Sequence, residues 1–178
     1  LALREATDAD DLAFLTALRP FQRAGVKFLV TARHALLADE MGLGKTVQAI
    51  AAMETIGNDA YPALVVCPNS MKRTWAEEFN RWAPGRDVVV VSGSAPARKK
   101  SIAALKNGEA DVAVINYEGL RSHTRLEGYG AMTLSAEEKR PKELNEVALR
   151  SVVADESHRA KDPRAKQTRA LWAVGKNA

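Results

Sequence analysis

The sequence predicts an α/β domain, a three-layer α-β-α sandwich built on a mostly parallel sheet. Short apolar runs alternate along the chain with longer stretches of helical periodicity. The runs are continuously apolar instead of alternating with polar residues, which is typical of strands buried on both faces. The composition is globular, because 46% of the 178 residues are hydrophobic and 27% are charged. A chain of this length can enclose one domain core.

Five apolar runs are predicted as strands. Ligands of parallel α/β sheets bind beyond the carboxyl ends of the strands, so the residues that directly follow each run are the first candidates for function. In chain order the predicted strands are His34–Ala38, Ala63–Cys67, Val88–Val91, Val112–Ile115 and Val152–Ala154.

Helices are predicted between these strands. Lys45–Ile56 repeats apolar residues at the spacing of one helix face. Asn69–Trp82 carries an aromatic face at the same spacing, and either Asn69 or Ser70 is predicted as its N-cap, since both side chains can accept a hydrogen bond from the first turn.

The remaining segments are less uniform. Ala95–Lys106 is predicted as a further helix that ends at Asn107-Gly108, a typical stop signal. The stretch Asp8–Arg33 is predicted to be mostly helical with an interruption at Pro20. Residues 128–146 are rich in charge and lack periodicity, so we expect a solvated loop with a short helix there.

Several classes of protein are excluded by composition. A single cysteine, Cys67, is incompatible with a disulfide scaffold or a cysteine-built zinc site. No apolar run approaches the roughly 20 residues of a membrane span. The segment Leu1 to Asp11 is acidic and has no apolar block, so we expect no secretory signal. The net charge of +4 allows a polyanionic partner without proving one.

Residues 39–46, which we name the phosphate loop, follow the first predicted strand and precede a predicted helix. Gly42 and Gly44 allow backbone conformations in which successive N–H groups point at an anion. Lys45 would reach the β- and γ-phosphates, and the Thr46 hydroxyl would bind Mg²⁺. The generic pattern begins with glycine, where this chain has Asp39. A plain glycine turn would explain the glycines but not Lys45-Thr46 at this offset.

Residues 155–158, which we name the acidic end, follow the last predicted strand. Asp155 would hold Mg²⁺ directly or through water, and Glu156 would orient and polarise the attacking water. The alternative is a solvated strand end, which is common. His158 has no second histidine or cysteine at a useful spacing, so a role in sensing the γ-phosphate or in contacting a partner lobe is favoured over metal binding.

Together the phosphate loop Asp-Glu-Met-Gly-Leu-Gly-Lys-Thr and the acidic end Asp-Glu-Ser-His resemble superfamily-two helicases of the Swi/Snf type. Asp39 in place of glycine is what that family carries. The resemblance implies a RecA-like P-loop NTPase fold, with residues 18–178 as the first ATP-binding lobe and residues 1–17 as an N-terminal extension. It also implies that nucleotide contacts extend to Met41, Gly42, Leu43, Gly44 and Gln48.

Other segments carry the same resemblance. The segment Leu-Arg-Pro-Phe-Gln at 18–22 is similar to the family's glutamine motif, which implies that Gln22 binds the adenine edge through its amide. The resemblance also implies contacts with a DNA backbone after two of the strands. The candidate residues there are Ser70, Lys72, Asn116 and Tyr117, whereas Trp75 and Trp82 are predicted to be core.

The function implied by the resemblance is ATP-dependent movement on double-stranded DNA, with ATP and Mg²⁺ as cofactors. A second RecA-like lobe would supply arginine fingers, so we expect the isolated chain to bind nucleotide weakly and to hydrolyse it poorly. We expect a monomer without membrane contact, in the cytoplasm or another compartment that holds DNA. Two alternatives stay open, a nucleotide- or DNA-binding module without turnover and an RNA helicase lobe of the same superfamily.

Overall fold

The computed structural model describes residues 16–32, 34–176 and 178. Its sheet has four parallel strands in the order β2-β3-β1-β4. Ladder pairing places Val66 of the central strand opposite both Ile115 and Ala154, so the carboxyl ends of three strands lie side by side. The strands are β1 (Ala63–Cys67), β2 (Val88–Val90), β3 (Val112–Asn116) and β4 (Ser151–Ala154).

Helices cover both faces of this sheet. Each parallel connection passes through a helix, as crossovers between parallel strands require. The helices are α1 (Pro20–Thr31), α2 (Lys45–Ile56), α3 (Lys72–Trp82), α4 (Ala95–Asn107), α5 (Tyr117–His123), α6 (Ala136–Lys139) and α7 (Lys166–Gly175). Short 3₁₀ turns lie at Gly57–Ala60, Asn69–Met71, Glu143–Glu146 and Ser157–Ala160.

The core is divided by the sheet into two layers. Leu64 and Val66 of β1 face α4, α5 and α7, where they belong to one cluster with Ile102 and Leu120. Val65 and its alternate neighbours face α2 and α3 and form a second cluster with, among others, Ile50, Met53, Trp75 and Phe79. All five residues of β1 are buried, which explains why the run is apolar throughout. The predicted three-layer sandwich is therefore confirmed.

The first predicted strand, His34–Ala38, is wrong. These residues are irregular, and they make no ladder with any described strand. Most of them are exposed, with Leu36 at 69%. The run consists of histidine, alanine and leucine and lacks the β-branched residues that favour strands. As a result, β4 pairs with β1 on one side, and no described strand pairs with its other side. The other four predicted strands are confirmed within one residue at each end.

The predicted helices also form, with one error at a cap. The helix α2 has the predicted bounds, and α4 ends at Gly108, whose φ of +75° is left-handed. Neither Asn69 nor Ser70 caps α3, because both residues are taken up by a 3₁₀ turn and the helix begins after Met71 without a side-chain cap.

The predicted interruption and loop are present as well. Proline at the first position of α1 starts that helix at Pro20, where the missing N–H does no harm. Within residues 128–146, α6 is a single turn with a capping box between Ser135 and Glu138. The predicted extension at residues 1–17 lies outside the described residues except for 16 and 17. Across the described part of the chain, every helix is too short or too polar to cross a bilayer.

Candidate functional site

A cleft of about 1390 Å³ runs beside β4 and brings the two predicted motifs together. Lys45 and Thr46, from the start of α2, line it on one side. Asp155 and Glu156 line it on the other, directly after β4. This is the position at which the carboxyl ends of parallel strands are expected to present functional residues.

The phosphate loop has the backbone geometry that its glycines predict. Gly42 has a φ of +83° and Gly44 a φ of +74°, both left-handed. A Cβ added to Gly44 would lie 2.6 Å from the Nε2 atom of Gln22, so the end of that side chain would have to move away. The sharp turn therefore favours glycine at this position, above all because its backbone is left-handed.

Positive charge is concentrated at the junction of this loop with α2. The Lys45 ammonium donates hydrogen bonds to the carbonyl oxygens of Asp39, at 2.8 Å, and Glu40, at 2.9 Å. The helix begins at Lys45 without a side-chain cap, so the first N–H groups of its twelve residues are left for an external acceptor. Free N–H groups, a helix dipole and an ammonium together suit a phosphate.

Two glutamine side chains secure the loop from behind. Gln22 donates from Nε2 to the carbonyl oxygen of Leu43 at 3.2 Å, and its Oε1 accepts the N–H of Arg19. Gln48 is fully buried, and its Nε2 donates to Asp39 Oδ2 at 3.2 Å and to Leu43 at 3.4 Å. Neither glutamine lines the cleft among the described residues. Both amides therefore act here as supports of the phosphate loop.

Gly25 gives Gln48 the room it occupies. A Cβ added to Gly25 of α1 would lie 1.9 Å from Gln48 Oε1, an impossible overlap. That oxygen is buried and has no hydrogen-bond partner among the described residues. Because the buried amide of Gln48 would have to move to admit a side chain at position 25, the support of the loop also depends on this glycine of α1.

Asp155 is fixed by three hydrogen bonds from three different elements. Its N–H donates to the carbonyl oxygen of Val66 at 2.8 Å, which continues the β1–β4 ladder. The Tyr117 hydroxyl donates to its carbonyl oxygen at 2.7 Å. The Trp75 indole N–H donates to its Oδ2 atom at 2.9 Å. Backbone and side chain of this carboxylate are thus both anchored.

The charge of Asp155 affects its buried neighbours. Burial first, and then the negative charge of Asp155, raise the pKa of the Cys67 thiol to about 12. The same two causes raise the pKa of Tyr117 to about 12. Both groups therefore stay protonated at neutral pH, and Cys67 behaves as a small apolar residue of the core instead of a reactive thiol.

Glu156 is the single residue other than glycine with a left-handed backbone among those described, with φ +52° and ψ +47°. Its side chain is exposed, and its Oε2 lies 3.2 Å from Nδ1 of His158. Strained backbone of this kind is concentrated at functional positions of proteins. The turn that begins here aims Glu156 at the cleft and brings His158 alongside it.

The residues at the cleft fit a magnesium ion better than a transition metal. No group of three or more histidine, cysteine or acidic residues could hold a metal within the described ranges. Thr46 and Asp155 offer one hydroxyl and one carboxylate, and the Thr46 hydroxyl makes no hydrogen bond to any described residue. Mg²⁺ is held in this way, by few protein oxygens together with water and phosphate.

The four predicted DNA-contact residues lie at the ends of β1 and β3, but they differ in exposure. Ser70 is exposed on the turn before α3, and Asn116 is partly exposed and donates to Glu118 at 2.7 Å. Lys72 is only 9% exposed and donates to the carbonyl oxygen of Val91, and Tyr117 is buried. The Tyr117 hydroxyl is therefore engaged inside the domain, whereas Ser70 is exposed and Lys72 and Asn116 line one pocket of about 290 Å³.

Trp75 is the functional candidate that the sequence reasoning missed. It was expected to be core, and it is, but its indole also reaches Asp155 across 80 residues of sequence. The helical spacing indicates that Trp75 faces the sheet, but it cannot indicate which strand end lies above it. Only the β1–β4 pairing, which puts the start of α3 beside the end of β4, supplies that information.

Comparisons with known proteins find relatives of this chain. The chain is 32% identical to Protein CHROMATIN REMODELING 19 of Arabidopsis thaliana over 98% of its own length and 23% of that relative. It is 40% identical to the SWI/SNF-related matrix-associated actin-dependent regulator of chromatin subfamily A-like protein 1 of Xenopus laevis, over 60% of this chain and 12% of that protein. The chain thus spans less than a quarter of either curated relative.

A solved structure shares the fold. The SWI2/SNF2 ATPase core of Sulfolobus solfataricus in complex with dsDNA superimposes with a TM-score of 0.65 and 30% identity, over 86% of this chain and 29% of that one. The expected RecA-like architecture is thereby confirmed. The sequence model of the SNF2-related domain matches residues 21–177, from the first helix through the last. By this match, which covers most of its length, the chain belongs to the SNF2-related domain family.

Proposed function

We propose that this chain is the ATP-binding lobe of an ATP-dependent translocase that moves on double-stranded DNA. One observation carries the proposal, namely that Lys45 and Thr46 of the phosphate loop line a single cleft with Asp155 and Glu156 of the acidic end, beside β4. Membership of the SNF2-related domain family and the likeness to an ATPase core bound to dsDNA support the same function.

The nucleotide would be held mainly by the phosphate loop. Its phosphates would receive the free N–H groups at the start of α2 and the Lys45 ammonium, which would exchange the carbonyl oxygens of Asp39 and Glu40 for phosphate oxygens. Gln22 lies behind the loop, and its amide would bind the adenine edge by exchanging its present partners, Leu43 and Arg19, for the base. Met41, 89% exposed at the rim of the cleft, would cover the bound nucleotide.

Hydrolysis would use Thr46 and the acidic end. Thr46 and Asp155 would hold Mg²⁺, which when bound neutralises charge that develops on the phosphate oxygens. Glu156 would orient the attacking water and accept its proton. His158, 3.2 Å from Glu156, would hold that carboxylate in place. In-line attack needs this orientation more than it needs covalent help from the protein.

Translocation would also require DNA and a second lobe. Ser70, Lys72 and Asn116, which follow β1 or end β3, would contact a DNA backbone. A second RecA-like lobe would add an arginine finger, which is worth roughly 10³ to 10⁵ in rate. We therefore expect a monomeric protein that works where DNA is present and an isolated lobe that hydrolyses ATP poorly.

Nucleotide binding by the 178-residue chain tests the first part of this proposal. A fluorescent ATP analogue is titrated into the wild type, the Lys45→Ala variant and the Lys100→Ala variant, whose lysine is exposed and remote from the cleft. We expect Lys45→Ala to lose binding and Lys100→Ala to retain it. Equal binding by all three proteins would refute the assignment of the phosphate loop.

Hydrolysis is tested with this chain joined to a second RecA-like lobe, with duplex DNA, single-stranded DNA or RNA added in separate arms. We expect duplex DNA to stimulate ATP hydrolysis most and Glu156→Gln to abolish it while nucleotide still binds. Stimulation by RNA alone would indicate an RNA helicase lobe instead. Nucleotide binding without turnover in any arm would indicate a module that acts without hydrolysis.

A further inference from the structure

The indole of Trp75 makes a contact that packing alone does not require. Trp75 lies in α3, is 2% exposed and packs against Phe79 in the cluster below the sheet. Its ring would fill that space without any polar contact. Its N–H nevertheless donates to Oδ2 of Asp155 at 2.9 Å, in a bond between two elements 80 residues apart. A charge-assisted bond of this length is strong and directional.

The bond leaves one carboxylate oxygen of Asp155, Oδ1, available for a ligand. Its backbone N–H and carbonyl oxygen are held by Val66 and Tyr117, so the residue cannot rotate as a whole. Trp75 occupies Oδ2, whereas Oδ1 makes no hydrogen bond to any described residue. Without the indole, the carboxylate could turn about its side-chain bonds. The N–H of Trp75 therefore selects one orientation of the carboxylate in the cleft.

We propose that Trp75 is a positioning residue for the divalent cation, because its indole N–H holds Asp155 with Oδ1 presented to Mg²⁺. This inference rests on the proposed function, which makes Asp155 a metal ligand. Mutation of a residue that hydrogen-bonds a metal ligand lowers metal affinity roughly 10- to 100-fold. Because Trp75 is a single neutral donor, we expect the lower end of this range. Trp75, which is 2% exposed, would act on the metal through Asp155 instead of binding it.

The helix that carries Trp75 contains its own control. Trp82 lies two turns further along α3, and its indole N–H also donates to a carboxylate, that of Glu78, at 2.8 Å. Glu78 is outside the cleft among the described residues. The variants Trp75→Phe and Trp82→Phe thus remove the same chemical group from the same helix, and only the first removes it from Asp155.

The test measures metal binding instead of turnover. Mn²⁺ is titrated into the ADP-saturated 178-residue chain and followed by electron paramagnetic resonance, and ADP affinity is measured separately without metal. We expect Trp75→Phe to weaken Mn²⁺ binding roughly 10-fold and to leave metal-free ADP binding unchanged. We expect Trp82→Phe to alter neither. Unchanged Mn²⁺ affinity in folded Trp75→Phe would overturn the proposal.

A second measurement on the unaltered chain removes any dependence on how the variant folds. The indole ¹H–¹⁵N resonance of Trp75 should shift when Mg²⁺ is added to the ADP-saturated protein, and that of Trp82 should stay in place. A stationary Trp75 resonance at saturating Mg²⁺ would refute the inference while nucleotide binding stands. Failure of the wild type to bind ADP at all would overturn both this inference and the proposed function.

Discussion

The acidic end and the phosphate loop line one cleft, but a backbone ladder bond anchors the first in addition to side chains, whereas the second is held mainly by side chains. Asp155 continues a strand, and its N–H is paired with Val66 of the neighbouring strand. The phosphate loop follows residues 34–38, which belong to no described ladder. Its carbonyl oxygens are bound by the side chains of Gln22, Lys45 and Gln48.

This difference predicts which side of the cleft is more sensitive to single substitutions. A ladder bond survives most substitutions, because it depends on the backbone and not on the side chain. A loop held by amides can be released by one change, even at a residue that never meets the ligand. Single substitutions should therefore damage nucleotide binding more on the side of the phosphate loop than on the side of the acidic end.

The largest effect is expected for Gly44→Ala. The new side chain would be strained on a left-handed backbone, and its Cβ, 2.6 Å from Gln22 Nε2, would displace that amide from the Leu43 carbonyl oxygen. We expect ADP affinity to fall roughly 100-fold, equivalent to about 3 kcal/mol, in isothermal titration calorimetry. Gly108→Ala is the matched control, because it has a φ of +75° and open space around the new Cβ. Similar affinities for both variants would contradict the special role of the phosphate loop.

Gln48→Ala should have the next largest effect. The substitution removes two hydrogen bonds, leaves the Asp39 carboxylate without its donor and opens a void in a fully buried place. We expect the free energy of unfolding to fall by about 2–3 kcal/mol and ADP affinity by roughly 10-fold. Urea unfolding and calorimetry measure the two effects. Loss of stability with intact affinity would mean that Gln48 supports the helices but not the loop.

Glu143 tests whether side-chain contacts also stabilise the helical layer that contains α4 and α5. Its carboxylate lies 2.7 Å from Lys99 and 3.1 Å from Nδ1 of His123, the last residue of α5. Burial alone would raise its pKa, but hydrogen bonds from Lys99, the backbone and His123 lower it to about 2.

Because the folded-state pKa lies below the usual value of 4.5, Glu143 stabilises the fold above that pH, and this contribution is lost as the pH falls towards 2. We expect Glu143→Gln to reduce the stability by roughly 1–2 kcal/mol at pH 6 and to change little at pH 2. Urea unfolding at both pH values checks this. An equal loss at both would show that the carboxylate charge is irrelevant.

The smallest effect is expected for Tyr117→Phe, on the side of the acidic end. The hydroxyl donates to the carbonyl oxygen of Asp155, but the N–H of the same residue remains paired with Val66. We expect a loss of about 1 kcal/mol in unfolding free energy and an ADP affinity within roughly twofold of the wild type. A larger loss of affinity than that of Gln48→Ala would reverse the comparison.

Much of this site could be predicted because each motif is contiguous. Local spacing is enough to identify both motifs, Gly42 to Thr46 and Asp155-Glu156. The helix α2 forms with the predicted bounds because its apolar residues recur with a clear helical period. Local reasoning failed where the outcome depends on pairing. The run His34–Ala38 is apolar enough for a strand, but it has no described ladder partner.

Contacts between distant segments could not be predicted from the sequence either. Lys72 is a predicted DNA contact, and the sequence does not indicate that its ammonium also donates to the carbonyl oxygen of Val91, directly after β2. Trp75 was predicted to be core only, since nothing in helical periodicity reports an acceptor 80 residues away. In both cases the hydrogen-bond partner of the side chain depends on which strand ends lie side by side, and the order of strands in the sheet determines that.

The left-handed backbone of Glu156 has a consequence for protein engineering. That conformation costs a residue with a Cβ about 1–2 kcal/mol, and glycine would adopt it without this cost. Directed evolution for heat resistance alone would therefore enrich Glu156→Gly and discard the carboxylate proposed to orient water. Any stabilised version of this domain should be selected under a simultaneous demand for turnover, so that the strained glutamate is retained.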